Sequence, residues 1–84
     1  MEIKLEVPDY GEDGFIYKWE PDSEIEVKFQ DNVVIVIANS SGLKSLASHL
    51  LNLAQENVPQ YYYFNLDEYN SLEKGSIELI VQKK

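Results

Sequence analysis

His49 is the sole histidine of the chain and there is no cysteine, so acid–base or nucleophilic chemistry would have to run through His49 with serines or carboxylates. A general base works only on a nucleophile held within hydrogen-bond reach, and no second histidine or paired Ser motif accompanies this one. On a helical wheel of about 100° per residue His49 falls beside Leu46 and Leu53, at the edge of an apolar arc. That position favours packing or hydrogen bonding over catalysis. Metal chemistry fares no better: Asp9, Glu12 and Asp13 lack the Asp-x-Asp-x-Asp-Gly spacing of a calcium loop, and no Cys is present for zinc. Gly11 and Gly14 come without Gly-Lys-Ser/Thr or a strand-to-helix junction, so they form no phosphate cradle. The expectation is a protein that is not an enzyme and carries neither metal nor cofactor.

Binding chemistry is better represented. Tyr61, Tyr63 and Tyr69 are placed to project from a sheet face or its end, where tyrosine offers a large contact area at low entropy cost. Ser76 and Glu78, two apart, share one strand face near Asp67; residue by residue they read as a hydroxyl bonded to backbone, a surface acid and a loop cap. Charge points the same way, with 15 acidic residues against 7 lysines for a formal net charge of −8. Through Asp31, ten acids stand against Lys4, Lys18 and Lys28, a local imbalance of −7. Such a surface repels phosphate backbones and membranes, which excludes both as partners, and draws a basic protein toward it. Glu24 and Glu26 alternate on one strand, about 6.6 to 6.8 Å apart, and so begin an array of carboxylates. The candidate partner-binding set is Glu24, Glu26, Tyr61, Tyr63, Asp67, Glu68, Tyr69, Ser76 and Glu78.

These side chains need elements to hold them. Residues 1–84 make one domain, and 44% hydrophobic residues are enough to offset the entropy of ordering. Met1 to Glu6 alternates in charge and shows no secretory signal, and no apolar run reaches about 18 residues, so a cytoplasmic location is expected. Alternation predicts strands at Ile3, Leu5 and Val7, at Phe15, Tyr17 and Trp19, and at Ile25, Val27 and Phe29, the last closed by an Asp31-Asn32 hairpin turn. The unbroken β-branched run Val33 to Ala38 reads as the central strand, covered on both faces. A helix capped at Ser40 or Ser41, with Asn39 as an alternative, then lays Leu43, Leu46, Ala47, Leu50, Leu53 and Ala54 against the sheet, with Leu51 at the margin, and ends at Val58-Pro59. Tyr61 to Leu66 and Ser76 to Gln82 supply two further strands, with Tyr62, Phe64, Leu66, Ile77, Leu79 and Val81 inward. The expected fold is α+β in the order β-β-β-β-α-β-β: a mainly antiparallel sheet of about six strands with one amphipathic helix on one face.

The succession Asn39-x-x-Gly42-Leu43-x-x-Leu46-Ala47-x-His49-Leu50-Leu51, then Leu66-Asp67-Glu68-Tyr69, then Leu72-Glu73-x-Gly75-Ser76-x-Glu78-Leu79 resembles bacterial immunity proteins of polymorphic toxin systems, in particular immunity protein family thirty-two. The resemblance covers roughly the second half of the chain. It implies an α+β fold with a characteristic aspartate, here Asp67, and a Ser-x-Glu motif, here Ser76 and Glu78. Where many members carry a His-rich strand before the aspartate, this chain has Tyr61-Tyr62-Tyr63-Phe64-Asn65. The function implied is neutralisation of a co-encoded toxin by binding it, and an acidic inhibitor suits a basic target such as a nuclease. The alternative is a small structural scaffold that self-associates through a sheet edge or its Tyr-rich face, giving a homodimer.

Overall fold

Asp31 and Asn32 adopt positive φ (52° and 66°), the left-handed pair that a two-residue hairpin turn demands, and join β1 (Ile25–Gln30) to an antiparallel β2 (Val33–Ala38). Asn39 then starts α1 (Ser40–Leu53), its Oδ1 accepting from the Gly42 N–H at 2.7 Å. The same oxygen accepts from the Glu24 N–H and its amide donates to the Asp22 carbonyl, so one side chain fixes the helix start against β1. A Cβ on Gly42 would stand 2.4 Å from the Glu24 carbonyl oxygen, and only glycine permits that approach. After the helix come β3 (Tyr63–Leu66) and β4 (Leu79–Gln82), paired antiparallel with Phe64 opposite Val81. The computed structural model describes residues 1–84.

The expected six-stranded sheet does not form. There are four strands in two separate two-stranded sheets, β1-β2 and β3-β4, with α1 between β2 and β3. Residues 3–7 and 15–19 are not strands; the first 23 residues form an irregular strap with one isolated bridge, Gly11 to Gly14. The physical reason is visible in where the strap's backbone bonds go. The Glu20 N–H donates to Ser45 Oγ at 2.8 Å, Asn52 donates to the Ile16 carbonyl at 2.8 Å and Gln55 to the Pro8 carbonyl at 2.9 Å. Side chains of and beyond the helix thus satisfy backbone groups that a neighbouring strand would otherwise take. The two sheets fail to merge for a related reason. Along the outer edge of β1, Glu73 and Ile77 donate to the carbonyls of Ile25 and Val27, but the Val27 N–H meets the Ser76 hydroxyl instead of a backbone carbonyl. A side chain interrupts the ladder at that point.

Two further expectations are corrected. Only part of the apolar arc of α1 packs inward: Leu53 is in the core and Leu46 lies against it, but Leu43, Leu50 and Leu51 are exposed, and Gly42, Ser45, Ser48, His49 and Asn52 face inward in their place. β2 is not central either, since Val33 to Ile37 are 36% to 56% exposed and Phe29 opposite Val34 is exposed with them. The core consists of Ile25, Val27, Leu53, Val58, Phe64, Leu66 and Leu72, with Tyr10, Phe15, Leu46 and Leu79 packed around it.

Candidate functional site

His49 lies at the centre of the buried face of α1, not at its edge. It is fully buried, with Trp19, Tyr17 and Phe64 rings at centroid distances of 4.4, 5.2 and 5.8 Å, each roughly edge-on. Neither ring nitrogen has a hydrogen-bond partner, and burial pushes its pKa down to about 4, so the imidazole is neutral at pH 7. With no hydroxyl or carboxylate on either nitrogen, no proton relay can be assembled around it.

Asp67 organises its own loop. Its carboxylate accepts from the N–H groups of Tyr69 (2.9 Å) and Asn70 (3.0 Å), and its carbonyl accepts from Leu72 N–H at 2.8 Å. This turn drives Leu72 into the core. Glu68 accepts from Gly75 N–H at 2.6 Å, where Gly75 holds φ +89°. The Ser76 hydroxyl receives the Val27 N–H at 3.1 Å, and Glu78 receives the Asn65 side-chain amide at 3.0 Å while remaining exposed. Asp67, Ser76 and Glu78 thus hold three different contacts: Asp67 shapes the loop from within, Ser76 ties it to β1 and Glu78 to β3. Glu68 also sits beside Tyr69 and, by accepting its hydrogen bond and by its charge, raises the phenol's pKa.

Tyr61, Tyr63 and Tyr69 are 65%, 53% and 90% exposed. Tyr61 is held at φ +72°, a conformation that costs a residue with a Cβ about 1 to 2 kcal/mol. Its N–H donates to the Lys83 carbonyl at 2.9 Å and its own carbonyl accepts from Gln82, so the strain is locked in by β4 and its extension. Beside it, Pro59, Gln60, Tyr62, Tyr63 and Asn65 line an open depression. Glu24 is exposed at the start of β1, and Glu26 lies half-buried 4.0 Å from Lys28. Ser76 touches the residue next to Glu26, so the 67–78 segment and the β1 carboxylates are neighbours, whereas Tyr61 and Tyr63 belong to the other sheet.

Lysines compensate few of the acids. Lys18 pairs with Glu6 and Lys28 with Glu26, which leaves thirteen of the fifteen carboxylates without a salt bridge. No group of three or more His, Asp or Glu is arranged to hold a metal ion. No helix is long and apolar enough to cross a membrane. The exposed apolar faces of β2 and α1 were missed by sequence reasoning, because an unbroken apolar run signals that a surface is covered without saying by what.

The family model described as immunity protein 32 matches residues 33–84, from the start of β2 onward, and so includes α1, Asp67, Ser76 and Glu78. The strap and β1, which carry the strongest acidic bias, precede the matched segment. No curated protein and no solved structure matches. The matched stretch is more than half of the chain, and the chain belongs to the immunity protein 32 family: it is an α+β immunity protein of the polymorphic toxin systems.

Proposed function

We propose that this immunity protein neutralises a basic toxin, of the kind that handles nucleic acid, by presenting carboxylates where that toxin expects phosphates. The observation that carries the reading is the thirteen carboxylates without a lysine partner, concentrated toward the first 31 residues. An ion pair already made within the chain would have to break before a toxin could use it; free carboxylates carry no such cost. Glu24, unpaired, begins the array just before β1, and Glu26 extends it on the strand at the cost of its contact with Lys28; the segment that carries Asp67, Glu68, Tyr69, Ser76 and Glu78 bonds the same strand through Glu73, Ser76 and Ile77. Tyr61 and Tyr63 supply the apolar anchors. Long-range charge sets the rate of encounter, and desolvated aromatic contacts set the rate of escape.

Stopped-flow mixing with the co-encoded toxin at about 20 and 200 mM salt separates the two contributions, since screening lengths differ about threefold across that range. Replacing Glu24 and Glu26 by Gln slows association and flattens its salt dependence. Tyr61→Gly relieves the positive φ, so it leaves stability unchanged or raised, yet it speeds dissociation. Lost binding in that variant is then not a consequence of unfolding. Association that does not respond to salt removes the basic-toxin reading, and Tyr61→Gly with unaltered dissociation removes the aromatic anchor.

A further inference from the structure

We propose that β2 is an interface strand along which two copies of this chain pair antiparallel, about a two-fold axis at Ile35, to make a four-stranded sheet in the order β1-β2-β2-β1.

The two edges of the hairpin are unequal. On β1, the outward carbonyls of Ile25 and Val27 and the outward N–H of Val27 are all satisfied by the 73–77 segment. Val27 and Phe29 stand opposite Val36 and Val34, so the same alternation turns the N–H and C=O groups of Val34 and Val36 away from β1. No other segment of the chain bonds them. Free strand edges are usually blunted by a lysine, a proline, a bulge or a covering loop. From Val33 to Ala38 there is none of these, and the side chains of Val33 to Ile37 are exposed on both faces of the strand.

Charge decides the occupant. The chain carries −8 overall, and a basic partner is drawn to its carboxylates; β2 has none, so the steering charge lies on other surfaces. An uncharged apolar edge is complementary to a copy of itself. Hydrogen-bond parity requires outward residues to face outward residues, so the axis falls on Val34, Ile35 or Val36. An axis at Val34 sets Ile37 opposite Asp31, and one at Val36 sets Val33 opposite Asn39. With the axis at Ile35, Val33 meets Ile37 of the second copy, Val34 meets Val36 of the second copy through two backbone bonds, and the two Ile35 side chains pack together. Asp31 then meets Asn39 of the second copy, so no carboxylate lies opposite another. The inference needs no toxin and stands or falls apart from the proposed function.

Sedimentation velocity over a dilution series, with amide hydrogen exchange at the same concentrations, tests it. The expected result is a species of twice the 9.7 kDa chain mass, in which the Val34 and Val36 amides are protected and lose protection on dilution. Ile35→Lys sets two ammonium groups against each other and raises the dimer dissociation constant at least about tenfold. In that variant the amides of Val33 and Ile37, which bond to β1, stay protected, which shows the hairpin intact. Tyr63→Lys leaves the dimer unchanged. A monomer at every concentration with Val34 and Val36 unprotected overturns the proposal. So does protection that appears only when the toxin is added, or a dimer that survives Ile35→Lys and is lost in Tyr63→Lys.

Discussion

On α1 the two faces exchange their usual partners. Ser45, Ser48, His49 and Asn52 lie against the rest of the protein, whereas Leu43, Leu50 and Leu51 meet solvent. Ser45, Ser48 and Asn52 turn inward because what they cover is an irregular strap whose backbone needs bonding partners, and leucines in their place would leave those groups unsatisfied at about 1 to 3 kcal/mol each. The same contrast recurs in the hairpin, where the bonded edge is β1 and the apolar strand β2 is the open one. In both elements hydrogen-bond demand decided which side turns inward, and apolar surface was left over. Surplus apolar surface on a small acidic domain is a statement about partners.

The sharpest way to break this comparison is through Leu53, the one leucine of α1 that is buried in the core. Leu53→Ala should destabilise by about 2 to 5 kcal/mol, because it opens a cavity next to the residues that fill the core. Urea denaturation measures this directly, and a loss below about 0.5 kcal/mol would mean that the inward face is misplaced.

His49 tests the polar face itself. Its folded pKa of about 4 lies below the unfolded value of 6.5, so the unfolded chain binds the extra proton between those two values. Stability from this group is therefore complete above about pH 6.5, falls as the pH drops toward 4 and is level below that. The total is roughly 3 kcal/mol at 1.36 per pKa unit. Carboxylates titrate in part of the same range, and His49→Leu isolates the effect. That variant should lose the slope between pH 6.5 and 5 and be at least as stable as the parent at pH 7, since it removes two nitrogens that bond to nothing. An unchanged slope would place the imidazole in contact with water.

Local chemistry was legible where a residue's own neighbours settle its conformation. Asp31-Asn32 makes the turn it is suited to make, the helix starts where expected with the alternative Asn39 as its cap in place of Ser40 or Ser41, and Phe64 and Leu66 point in while Tyr61 and Tyr63 point out. The strap was not legible, because Ile3, Leu5 and Val7 or Phe15, Tyr17 and Trp19 alternate equally well in a strand and in an extended segment laid over a helix. What distinguishes the two is whether the bonding partner is a backbone or the side chains of Ser45, Asn52 and Gln55, 25 to 47 residues away in sequence. The candidate site was readable as residue types and loop chemistry at Asp67 and Ser76. Its arrangement was not, since only the fold places the 67–78 segment on β1 and the tyrosines on the other sheet.

The smallest expected effect is the most discriminating. Leu50 sits in the middle of the arc that the sequence pattern assigns to the core, and an inward Leu50 would cost about 2 to 5 kcal/mol on truncation. In the structure it is 44% exposed, so Leu50→Ala removes little burial and replaces leucine by a residue of slightly higher helix propensity. The two contributions oppose each other, and the net change should stay within about 0.5 kcal/mol. Measured beside Leu53→Ala in the same buffer, it gives a ratio that depends only on which way the helix faces. These leucines are three positions apart, and near-equal losses at both would mean that α1 is turned toward its apolar arc and that the strap is held by something other than Ser45 and Asn52.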